Sequence, residues 1–146
     1  MKSKNHSFVF VLFLFLISAF EINTQTVGKV YTKQAADSIY GPVLNFTIIN
    51  TQDLQSLFSK TNSYLMFKII QDTLAILDDK RNLIYGSSFS FSDNDVFNYC
   101  SVSKIQELIF NDNNPVTYVE NRQNVLTITN GGFTLEETQP CPPYCP

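Results

Sequence analysis

The sequence predicts an α+β fold of antiparallel sheet carrying two short helices. Three observations lead there. Strand-like alternation, as in Leu44, Phe46 and Ile48 against Asn45 and Thr47, sits beside helical spacing, as in Leu54, Leu57 and Phe58. The run Asn130-Gly131-Gly132 marks a tight hairpin between two strand-like stretches. The same order of elements, β-α-β-β-β, also occurs twice in tandem.

The chain starts with Lys2 and Lys4 and then runs through 13 apolar and small residues, Phe8 to Phe20. That length falls short of the roughly 20 residues a membrane-crossing helix needs and suits the core of a secretory signal. Residues 1–22 are therefore expected to be a signal peptide and residues 23–39 an N-terminal linker. Residues 40–138 are expected to form a single α+β domain of two repeats, about 43–86 and 96–138. A Cys/Pro-rich tail, 139–146, completes the chain.

Laying the sequence on itself at an offset of 51 aligns Leu54–Lys80 with Ile105–Gly131 without a gap. Apolar residues meet at Leu54/Ile105, Leu57/Leu108, Phe58/Ile109, Leu65/Val116, Phe67/Tyr118, Leu74/Val125 and Leu77/Ile128. In the first half the expected order is a strand at 44–48 and a helix over Asp53–Lys60 capped by Asn50 or Thr51. Strands follow at 64–70, 73–78 and 82–85. In the second half a strand at 97–102 leads into a helix opened by a Ser103/Gln106 capping box. The segment Asn111–Pro115 ends that helix, and strands follow at 116–121, 124–129 and 133–137. A unit of about 45 residues with one short helix cannot bury enough apolar surface alone, so the halves are expected to share one core.

Composition narrows the function. The chain carries 10 basic and 13 acidic residues, a net charge of −3, and its two arginines, Arg81 and Arg122, are far apart. Nucleic acid is not an expected partner, since phosphate binding needs clustered Lys and Arg. No later segment is apolar enough to span a membrane. The one histidine, His6, lies in the signal, which removes the usual general base and metal ligand from the mature chain. No catalytic residue, cofactor or metal site is therefore expected.

Asp78–Asp79, Asp93–Asn94–Asp95 and Asp112 all fall in predicted turns, where Asp and Asn bond their own backbone. Phe89 and Phe91, set among serines between the halves, are candidates for a binding hot spot or for an edge strand over 87–91 facing the core. Asn45-Phe46-Thr47 fits an N-glycosylation sequon. In the tail, Cys141 and Cys145 are expected to form a local disulfide that presents Tyr144, with Cys100 left free and buried.

These features point to a secreted or periplasmic non-catalytic binding protein whose partner is a protein or a surface ligand. The alternatives are metal or redox chemistry at the CPPYC tail and a carboxylate-based hydrolase. Export is expected to remove the N-terminal segment, and the intact mass of the exported protein checks this; a full-length species held in the membrane would contradict it.

Overall fold

Antiparallel backbone pairing sorts the strands into two five-stranded sheets. The structure, a computed structural model, describes residues 25–86, 90–123 and 125–145. In order these form β1 (Lys29–Thr32), α1 (Lys33–Tyr40), β2 (Asn45–Asn50) and α2 (Thr51–Ser56), the last running on as a 3-10 turn, Leu57–Lys60. Then come β3 (Tyr64–Ile70), β4 (Thr73–Leu77), β5 (Leu83–Tyr85), β6 (Phe97–Ser101) and α3 (Val102–Asp112). The chain closes with β7 (Val116–Asn121), β8 (Leu126–Asn130), β9 (Phe133–Glu136) and β10 (Gln139–Cys141). One sheet has the order β1-β9-β8-β7-β2 and is called sheet A; the other, sheet B, has the order β10-β6-β3-β4-β5.

Residues 45–85 and 97–136 each run strand, helix, three strands, but each half lends its first strand to the other. Strand β2 pairs with β7, and β6 pairs with β3. The halves therefore interlock over one core. Its buried residues include Leu65, Phe67, Leu74, Ile76 and Cys100 from sheet B and Ile49, Val119, Leu126, Ile128 and Leu135 from sheet A. Leu54, Leu57, Ile105, Leu108 and Ile109 of the helical segments join the same cluster.

At the offset of 51 the helical pairs Leu54/Ile105 and Leu57/Leu108 are buried on both sides, whereas the strand pairs do not match. Phe67 is fully buried while Tyr118, its partner at that offset, is exposed. In the core Leu74 corresponds to Leu126 and Ile76 to Ile128, pairs 52 positions apart. One extra residue before β7 turns every following side chain to the opposite face, because a strand's period is two.

The expected linker and tail are corrected too. Residues 29–40 form β1 and α1, and β1 pairs with β9 over Lys29↔Glu136 to Thr32↔Phe133. Residues 139–141 form β10 and pair with β6. Three α-helices are thus present among the described residues rather than two, and none is long and apolar enough to cross a membrane. The Ser103 capping box is replaced by a start two residues earlier, with Ser101 as N-cap. Ser101 Oγ caps nothing, because it accepts a hydrogen bond from Val27 N at 2.7 Å instead.

Other local readings hold. Asn50 Oδ1 accepts from Gln52 N at 2.8 Å, capping α2. Gln71 and Asp72, both at positive φ, make the two-residue turn between β3 and β4. Gly131 turns the β8–β9 hairpin at φ 57, and a Cβ there would collide with the Asp112 carboxylate, which accepts from Gly132 N.

The second face of sheet B carries its own apolar cluster of Met66, Ala75, Leu77, Phe97 and Tyr99, covered by Val27 and Cys141, with Leu83 and Phe91 packed against it. Arg81 binds this cover together, donating from Nη1 to Cys141 O and from Nη2 to Asp95 O while lying over the Phe97 ring.

Leu57 and Leu108 are buried in the shared cluster, so Leu57→Ala and Leu108→Ala should each cost about 2–5 kcal/mol in chemical denaturation. A loss well below that at either site would show that its helix does not pack on the common core.

Candidate functional site

The outward face of sheet A is polar where the outward face of sheet B is apolar. Strand register aligns Ile48, Tyr118, Thr129, Thr134 and Tyr31 in one row across it. Phe46, Glu120 and Thr127 form the adjoining row. Thr127, Thr129, Thr134, Glu120 and Glu136 are all buried, so their polar groups must find partners within the protein.

The main partner is Arg122, fully buried on its side chain at the end of β7. Nη1 donates to Asp37 Oδ1 at 2.8 Å and to the carbonyl of Gly41, both at the C-terminal end of α1. Nη2 donates to Glu120 Oε2 at 3.2 Å, and Nε donates to Thr127 Oγ1 at 3.3 Å. Glu120 Oε2 also accepts from Thr127 and Thr129 hydroxyls. A cation at the C-terminal end of a helix is favoured by the helix dipole, which suits Arg122 below Gly41. Burial opposes the Arg122 charge, but Asp37, Glu120 and Glu136 outweigh it and push its pKa up. Asp37, bonded by Arg122, is held below the usual carboxylate range.

Glu136 completes the cluster without a hydrogen bond. Its Oε1 lies 3.7 Å from Arg122 Nε, and neither carboxylate oxygen has a hydrogen-bond partner or reaches solvent. Burial pushes its pKa up to about 7; Glu120, Asp37 and Glu137 add to the rise and Arg122 works against it. An ion pair that long does not repay the cost of removing a carboxylate from water, so the neutral acid is the form favoured below neutral pH.

Helix α1 covers the half of this face nearest β1 and β9. The half formed by β2 and β7 is open. A groove of about 420 Å³ runs there, lined by Lys33, Val43, Phe46, Asn114, Tyr118, Glu120, Thr129 and Gly131. Its bank is apolar: Leu44, Phe46 and Ile48 are 66%, 55% and 56% exposed, and Tyr118 is 37% exposed. The Phe46 and Tyr118 rings meet edge to face with centroids 5.7 Å apart. Strand β2 ends the order of sheet A, so its outer backbone edge is unpaired among the described residues. From Val43 to Thr51 the chain carries no charge.

A groove of about 530 Å³ lies elsewhere, between the 3-10 turn and α3, lined by Gln55, Phe58, Gln106, Ile109, Phe110 and Asn113. It is larger but holds no charged side chain and no buried polar atom lacking a partner. The chemistry is therefore concentrated on sheet A.

Of the residues singled out from sequence, Cys141 and Cys145 are joined in a disulfide, and Cys100 is free and buried, its thiol pKa pushed up by burial. Tyr144, 64% exposed, stands on the turn that the disulfide closes. Phe91 is half-buried and packs edge-on against Phe97 at 5.5 Å, so it belongs to the cover of sheet B. Phe89 lies outside the described residues, and Ser90 and Phe91 are not in a strand.

Asp78 and Asp95 serve their own turns, while Asp79 and Asp112, the latter the last residue of α3, accept from other segments. Asp78 accepts from Lys80 N and Asn82 N, Asp79 from Asn62 N, and Asp112 from Gly132 N. Asp95 accepts from Ser92 N and from Lys68 Nζ at 2.6 Å, which with the Ser92 bond holds its pKa at about 2. Among the described residues no group of three or more His, Cys, Asp or Glu side chains is placed to hold a metal ion.

Asp37, Glu120, Glu136 and Tyr118 were not singled out from the sequence as site residues. For Glu120 a signal was present: its charge falls within an alternating strand, at a position where the strand's outward face would be exposed. Comparison with protein families, curated proteins and solved structures finds no match to this chain.

Glu136 yields a pH prediction. Its folded-state pKa exceeds its ordinary value, so the native state holds the extra proton, and stability falls as pH rises from about 4.5 through about 7. Unfolding free energies from denaturation measured across that window should drop by up to about 3 kcal/mol in the wild type, and Glu136→Gln should flatten the slope. A wild-type profile already flat there would show that the carboxyl is not sealed.

Proposed function

We propose that this protein is an exported, non-catalytic binding module that engages an extended segment of another polypeptide along β2. The apolar stripe of Leu44, Phe46, Ile48 and Tyr118 is the observation that carries this reading. Phe46 and Ile48 of the edge strand, Leu44 just before it and Tyr118 on the neighbouring β7 share one face, and contiguous exposed apolar surface of that kind marks interaction sites. An unpaired strand edge offers main-chain donors and acceptors to an added strand, while alternate side chains supply selectivity. The groove wall formed by α1 would hold the segment against sheet A.

Export is supported by the N-terminal apolar run and is compatible with the Cys141–Cys145 disulfide. We further propose that the interlocked β-α-β-β-β halves arose by duplication. Their common element order and the matched burial of Leu54/Ile105 and Leu57/Leu108 support that origin.

Phe46 and Ile48 are exposed, so the double variant Phe46→Lys/Ile48→Lys should fold with a melting temperature close to that of the wild type. Affinity capture from the secretome or envelope of the source cell should recover partners with the wild type that the variant loses. Identical captures would remove β2 as the binding edge.

A further inference from the structure

We propose that the segment bound along β2 carries a basic residue, Arg or Lys, whose charged head reaches Glu120 across the Phe46 ring. This rests on the strand-addition reading above and names the chemistry of the partner. Glu120 is only 5% exposed, yet it lines the groove. Its Oε2 takes three donors, from Arg122, Thr127 and Thr129. Its Oε1 accepts no hydrogen bond from the described residues, and the side chain lines the groove, whereas both Glu136 oxygens are sealed without a partner. A carboxylate held in place by three donors on one oxygen, at the wall of an open groove, can accept from a charged donor that enters it.

The surroundings favour a cationic donor. Inside the face, Arg122 is the cation bonded to Glu120, and it is shared with Asp37 and the Gly41 carbonyl. Lys33 lines the α1 side of the groove, but its Nζ is drawn to Asp37 at 3.6 Å. On the opposite bank Phe46 and Tyr118 present ring surface, and a cation over such a ring is attracted to its π face.

Distance selects the side chain. Phe46 lies directly across from Glu120 in the β2–β7 register. A strand added outside β2 would sit two strand spacings, roughly 10 Å, from the Glu120 backbone. Only a long side chain crosses that gap, and the methylene stems of Arg and Lys can lie on apolar surface while the charged head continues beyond it. A shorter polar residue would stop over Phe46.

The probe is a blocked heptapeptide alternating threonine and valine with arginine at its centre, compared with the same peptide bearing norleucine there. Calorimetric titration of the mature protein at low salt should give at least about tenfold tighter binding for the arginine peptide, the advantage shrinking as salt is raised. Glu120→Gln should abolish the preference, with its melting temperature recorded alongside. Because the decisive comparison is between peptides on the unaltered protein, it does not depend on how that variant folds. Equal affinities for the two peptides would overturn the basic-residue assignment and leave strand addition standing. If neither peptide binds, strand addition falls and this inference with it. If the norleucine peptide alone binds, the groove selects an apolar segment and the role given to Glu120 is wrong.

Discussion

One buried guanidinium holds the open face of this protein in order. Helix α1 is eight residues long and buries only Ala36, far too little apolar surface to stay on sheet A by itself. It is tied down from below, where Arg122 grips Asp37 and the Gly41 carbonyl with one nitrogen and reaches β7 and β8 through Glu120 and Thr127 with the others. A buried charge network of this kind adds little net stability over a well-packed apolar one, since desolvation offsets most of the attraction. What it supplies is position. Each partner is directional, and losing any one leaves a charge stranded, so α1 has one place to sit. The groove between α1 and β2 has a fixed wall for that reason.

The two arginines play matching parts on opposite faces. Arg81 lies over Phe97 and binds the tail and the connector to sheet B, whose outward face carries a mostly apolar, largely covered cluster. Arg122 lies under α1 on sheet A, whose outward face is threonine and carboxylate near β8 and β9 and aromatic near β2 and β7. Covering sheet B takes Cys141 of the tail strand β10, Val27 and Phe91, and among the described residues no segment covers the β2–β7 side of sheet A. The exposed stripe at Leu44, Phe46 and Ile48 follows from that unequal division of the chain's flanking segments.

The strand exchange between halves follows from size. Neither meander, β3-β4-β5 nor β7-β8-β9, is wide enough to enclose a core, and each gains a strand from the other half through β6 and β2. Both helical segments enter the common cluster, with Leu54 and Leu57 from the first and Ile105 and Leu108 from the second. Beyond them the extra residue before β7 sets the face of every side chain that follows. It sends Val119 inward and Tyr118 outward, where the uninterrupted alignment had Tyr118 standing for the buried Phe67.

Local pattern was enough to determine the α+β class, the central run of strands and helices, the hairpin at Gly131 and the pairing of Cys141 with Cys145. Those features rest on interactions between residues a few positions apart, such as alternation, helical spacing, turn chemistry and the closure of a short loop. The tertiary structure alone decided that residues 29–40 form a strand and a helix, because their stability comes from β9 and from Arg122, 85 positions beyond Asp37. It alone decided which half each first strand joins and which way Tyr118 faces. It also decided that Phe91 packs inward while Phe46 stays bare, though both stand in equally alternating surroundings. Burial depends on what the rest of the chain brings over a residue, and the charges of Asp37, Glu120, Arg122 and Glu136 become a site only when folding removes the water between them.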